Sequence, residues 1–115
     1  MRDEHFDAWV AAMLKPAIWR QGREALEVDD CYCPLGLLLR QDRWTKGLTR
    51  RVTRGVGVYS YQGAEMAHFP STEYLNEIKL DRGLAQLIVD MNDHKEKSFI
   101  DVAEWVVKNK SKFLS

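Results

Sequence analysis

The chain has 115 residues, 45% of them hydrophobic, with 17 basic and 17 acidic side chains that cancel to zero net charge. That length fits one domain, residues 1–115. The composition supports a packed core without metal or disulfide staples, which excludes a disordered chain and a small cysteine-stapled secreted scaffold. Two cysteines, an acidic start "MRDEHFDAWV" and a longest aliphatic run of only "LGLLL" predict a cytoplasmic protein with reduced thiols and no membrane partner.

Phe6, Trp9, Val10, Met13 and Leu14 recur with a 3.6-residue period. They predict an amphipathic helix, capped by Asp3 and ended before Pro16. After Gly22 the period shortens, and "DD" at 29–30 supplies turn chemistry for a hairpin pairing roughly 23–28 with 31–33. Pro34 stands where a first helical residue tolerates proline, so "PLGLLLRQ" predicts a short buried helix over about 34–41. Residues 42–55 are polar and weakly periodic and read as a loop. "RRVTRGVGVYSYQG" then shows period-two character, with Val52, Val56 and Val58 on one parity and Tyr59 and Tyr61 on the other, Gly55 and Gly57 marking a bulge or a close backbone approach and Gly63 closing the strand. Ser71 caps a short helix with Tyr74, Leu75 and Ile78 inward. Asp81 caps a second, carrying Leu84, Leu87, Ile88 and Met91. "SFID" at 98–101 is a capping box opening a third, with Phe99, Val102, Ala103 and Val106 in its apolar stripe. The predicted class is α+β, a mainly helical single domain with a small antiparallel sheet or hairpin and a C-terminal αα-hairpin.

Several of these pieces also occur together elsewhere. Trp9 in the first helix is followed by Gln21-Gly22, "YCPLG" at 32–36, "MND" at 91–93 and "SFIDVA" at 98–103. This order resembles a group of small uncharacterised proteins of bacteriophages and prophages. Their pattern runs from a Trp-bearing helix through Gln-Gly and Tyr-Cys-Cys-Leu-Gly to Leu-Asn-Asp and Ser-Phe-x-x-Ile-Ala. Pro34 replaces the second cysteine of that pattern. The resemblance implies a phage-type accessory product that interferes with host machinery, and it carries no activity.

No catalytic signature accompanies these elements. Cys31 and Cys33 have neither the second knuckle of a zinc site nor Cys-x-x-Cys spacing, and read as packed thiols. "RGVG" at 54–57 lacks the third glycine and the helix start of a dinucleotide site. Asp93 and His94 read as turn and cap residues. The sequence therefore predicts a non-enzyme without metal or cofactor.

Charge supplies the functional candidate. Residues 1–30 carry −3, residues 31–62 carry +5 and residues 63–115 carry −2. In the basic segment, Arg40, Arg43, Lys46, Arg50, Arg51 and Arg54 supply phosphate- or carboxylate-binding groups, and Trp44, Tyr59 and Tyr61 supply rings for stacking or anchoring. Whole-chain neutrality speaks against ordinary DNA binding, where basic charge dominates. The leading expectation is a binding protein that occludes a host protein or complex, in the manner of an anti-CRISPR-like inhibitor of host defence. A nucleotide-binding protein sequestering a phosphorylated signal is the alternative, and a DNA-binding accessory protein the third. The alternative to any contact surface is a basic loop consumed by the chain's own carboxylates.

Overall fold

The structure, a computed structural model, describes residues 1–114. Its chain order is α1 (Asp3–Met13), β1 (Arg20–Gln21), β2 (Glu27–Val28), β3 (Cys31–Tyr32), α2 (Pro34–Gln41), β4 (Thr49–Thr53), β5 (Val56–Tyr61), β6 (Ala64–Met66), α3 (Thr72–Ile78), α4 (Arg82–Asp93), α5 (Phe99–Lys108) and α6 (Lys110–Phe113). The α+β class holds, and no helix among the described residues is long and apolar enough to cross a membrane.

Helix α1 lies at the centre of the helical layer, against α2 and α5. Phe6, Trp9 and Met13 are buried along one face, and the Trp9 indole N–H donates to the Pro34 carbonyl at 2.8 Å. Asp3 is the first helical residue rather than the cap. Arg2 holds the cap position without a side-chain bond, so Asp3 acts only through its charge near the positive helix end. Phe113, delivered by α6, sits against Phe6, Trp9 and Trp105 with ring centroids 5.8–6.2 Å apart.

Helix α2 begins and ends where the proline and the apolar run predict. Its cap is a thiol: Cys33 Sγ accepts the Gly36 N–H at 3.3 Å. Burial raises the Cys33 pKa to about 11, which keeps this sulfur protonated and inert. Gly36 admits no side chain, because a Cβ there would overlap the Leu26 carbonyl. The helix thus rests directly on the β2 approach, with Leu35, Leu37, Leu38 and Leu39 all buried.

The sheet is mixed and has six strands in the order β1-β3-β2-β5-β4, with β6 also paired to β5. Three two-residue turns build it: Asp29-Asp30, Arg54-Gly55 and Gln62-Gly63 all have positive φ at both positions, the twist-matched hairpin geometry. Two features depart from the sequence expectation. Arg20–Gln21 form a strand that joins β3 in parallel, and residues 49–53, read as part of a loop, form edge strand β4. All five β4 residues are exposed, so no alternation of apolar side chains marks the strand in the sequence.

Helices α3, α4 and α5 start at their predicted caps, with Ser71, Asp81 and Ser98 accepting from the N–H groups of Tyr74, Leu84 and Asp101 at 3.0–3.2 Å. On α4 the buried face is Ala85, Ile88 and Asn92, while Leu87 is 49% exposed. The apolar stripe read there is therefore rotated by the polar residue Asn92, which is fully buried. Asn92 Nδ2 donates to the Gly22 carbonyl at 2.9 Å, and its Oδ1 accepts from Gln21 Nε2 at 2.7 Å. Gln21 also donates to the Lys97 carbonyl and accepts the Phe99 N–H at 3.0 Å. This amide pair fastens the α4–α5 unit onto β1.

A buried polar group that loses its partners costs about 1–3 kcal/mol for each orphaned atom, and backbone overlap costs more. Asn92→Ala and Gly36→Ala should each lower the unfolding free energy by about 3 kcal/mol or more, read from urea denaturation. Loss below about 1 kcal/mol in either variant would contradict the packing described.

Candidate binding site

Two buried carboxylates organise the basic segment from within. Glu27 on β2 is 1% exposed and lies over Gly57, where any Cβ would overlap its carboxylate. It accepts the Tyr59 hydroxyl at 2.6 Å and takes both Nε and Nη2 of Arg50 in a two-point ion pair. Burial pushes the Glu27 carboxyl up, but the Arg50 and Tyr59 hydrogen bonds outweigh it and hold the group below its ordinary range. The same pairing raises Arg50, and burial together with Glu27 raises Tyr59.

Asp42, at the C-terminal end of α2, is the second centre. Its side chain is fully buried and accepts five bonds: His5 Nε2 at 2.9 Å, the Trp44 and Thr45 N–H groups at 3.0 Å each, Thr45 Oγ1 at 2.6 Å and Tyr74 OH at 2.7 Å. Burial works against ionisation, and the His5, Thr45 and Tyr74 bonds override it, so the carboxyl stays well below the usual range. Asp42 therefore ties α1, the 42–45 turn and α3 together and fixes the start of the basic segment.

These centres sort the nine sequence candidates. Arg50, Tyr59 and Tyr61 are structural. Tyr59 is 1% and Tyr61 5% exposed, with Tyr61 OH donating to Glu77 at 3.2 Å. The expectation that the two tyrosines present stacking surfaces is thereby corrected: their strand parity places them on the covered face, with Gly57. The nine residues do not line one cavity. Arg40 stacks over Trp19 at 5.7 Å and Arg43 over Trp44 at 5.0 Å. Arg51 pairs with Glu65 at 2.5 Å, but both side chains are more than half exposed, and such surface pairs are worth less than about 1 kcal/mol. Among the described residues Lys46 and Arg54 have no ion pair, and both are exposed.

What remains outward is sided. Register places Arg51 opposite Val58, and Thr49 opposite Ser60 and then Glu65, on the solvent-facing side of the sheet; Arg54 stands at the hairpin tip. A second feature was not legible in the sequence. Trp44 and Lys46 form a cleft of about 400 Å³ together with Arg2, Glu77, Ile78 and Lys79. Its cations come from three distant segments, so no local spacing signals it. Comparison with protein-family models, curated proteins and solved structures returns no match for the chain.

The pKa shifts set the pH dependence. Asp42 and Glu27 are depressed from ordinary values of 3.8 and 4.5, so the unfolded chain takes up protons first and stability falls as pH drops below that range. Cys33 is raised from 9.0, so the unfolded thiol ionises first and stability also falls as pH rises from 9 towards 11. Urea midpoints should fall along an acid limb below about pH 4.5 and a basic limb above about pH 9, and Asp42→Asn should make the acid limb shallower while lowering the maximum. An acid limb unchanged by that substitution would contradict the role given to Asp42.

Proposed function

We propose that the protein acts by binding rather than by catalysis, occluding an acidic surface of a protein partner with the outer side of its β4–β5 hairpin. The observation that carries this reading is the division of labour along the β4–β5 hairpin: Arg50 is spent on buried Glu27, whereas Arg51, paired only with exposed Glu65, faces solvent on an edge strand and Arg54 stands exposed at the hairpin tip. An edge strand offers free N–H and C=O groups to an added strand. Self-pairing is disfavoured, because two antiparallel β4 strands centred on Arg51 set that arginine against its copy. An extended acidic segment meets no such penalty and gains charge complementarity.

The resemblance to phage and prophage proteins supplies the setting proposed for such binding, a host factor of a defence complex. The residues carrying that resemblance support the fold rather than a surface: Trp9, Gln21, Gly22 and Asn92 are linked to the chain's own backbone or to each other. They therefore add no residue to the proposed contact.

Affinity capture from host lysate should compare the native protein with Arg51→Glu/Arg54→Glu, which should lose no more than about 1 kcal/mol of stability because both side chains are exposed and Arg51 pairs only with exposed Glu65. The reading expects a partner with an acidic surface that the native protein retains and the double variant loses by at least about tenfold. An empty capture, or one indifferent to the reversal, would count against it.

A further inference from the structure

The cleft beside Trp44 lies apart from the β4 edge and is built from different residues. Arg2 enters it from the start of α1, Lys46 from the loop after α2 and Lys79 from the end of α3. Among the described residues none of these three cations lies within ion-pair distance of a carboxylate. Their backbones are nevertheless fixed. Lys79 holds a left-handed cap (φ 58°), and its carbonyl accepts the terminal nitrogen of Met1 at 3.2 Å, which places Arg2 beside it. Lys46 follows the turn locked by Asp42.

The walls are equally defined. Trp44 is half-buried and held between close neighbours, with the His5 ring centroid at 5.1 Å and the Arg43 guanidinium at 5.0 Å from its own. Glu77 is the cleft's one acidic side chain; its Oε1 accepts Tyr61 OH, leaving Oε2 without a protein partner.

We infer that this cleft binds a nucleoside phosphate, with the phosphate on Arg2, Lys46 and Lys79, the ribose diol on Glu77 and the base against Trp44. Three cations unpaired by protein carboxylates favour a multiply charged anion. A bare inorganic anion would use only the cations, would be repelled by Glu77, and would gain nothing from the indole. A nucleoside phosphate uses all three parts, and the volume falls within the range of small-molecule sites. The ligand needs no residue of the β4 edge, so this inference stands or falls independently of the occlusion reading.

The test is a thermal-shift and calorimetric titration of the untagged chain with ADP and UDP, using adenosine, pyrophosphate and inorganic phosphate as controls. At about 1 mM, ADP or UDP should raise Tm by at least about 3 °C, and adenosine and pyrophosphate should each bind at least about tenfold more weakly. Lys46→Ser and Lys79→Ser, both with exposed side chains, should each weaken nucleotide binding about tenfold while keeping the Tm of the free protein. Because Trp44→Leu could disturb the fold, the Trp44 indole N–H resonance serves as the second readout and should shift on titration with ADP. No binding at that concentration, pyrophosphate binding as tightly as ADP, insensitivity to both lysine substitutions, or an unmoved Trp44 resonance would each overturn the inference.

Discussion

The buried carboxylate of Glu27 is the constraint from which the rest of the sheet takes its form. An ionised group at that depth is tolerated only when it is fully hydrogen-bonded and paired, because its desolvation costs several kcal/mol otherwise. Arg50 and Tyr59 meet that demand, and the absence of a side chain at Gly57 makes room for it. Three strands are fixed by one carboxylate: β2 carries it, β5 supplies the glycine and the tyrosine, and β4 supplies the guanidinium. Since neighbouring residues of a strand point to opposite faces, holding Arg50 inward leaves Arg51 no choice but the solvent side. The sidedness of the basic segment is thus a consequence of core electrostatics.

Much of the helical framework was legible because its signals are local. Pro34 after Cys33, Ser71, Asp81 and Ser98 each mark a helix start that depends only on the next three residues. The strands were less legible. "DD" and the Gly63 turn could be read, but β4 has no buried face to impose alternation, and the two residues of β1 are a strand only because β3 lies beside them. Asn92 on α4 was equally hidden. A polar residue on a helix face reads as solvent-facing until its partner, Gln21, some seventy positions away, is known to lie opposite.

The candidate site was legible in charge and illegible in geometry. Composition located an excess of cations at 31–62, and that segment does carry exposed arginines. It could not say which guanidinium would meet Glu27, because that pairing spans 23 residues and depends on the β2–β5–β4 order. Nor could it bring Arg2 and Lys79 to Trp44. Asp42 is the one acidic residue in the segment, and net charge alone gives it no role. Its position just after α2 and three residues before Thr45 is the local signal that could have exposed it, since Asp side chains commonly accept backbone N–H groups two and three residues on.

The central claim is that the Glu27–Arg50 pair sets which cation the core carboxylate consumes and which point to the solvent side. A double-mutant cycle on unfolding free energy, using Glu27→Gln, Arg50→Met and the double variant, isolates that interaction from the packing around it. The account predicts a favourable coupling of about 2 kcal/mol, with the double variant more stable than the sum of the single losses implies. Additive losses, with coupling below about 0.5 kcal/mol, would mean that the two side chains act independently and would contradict it.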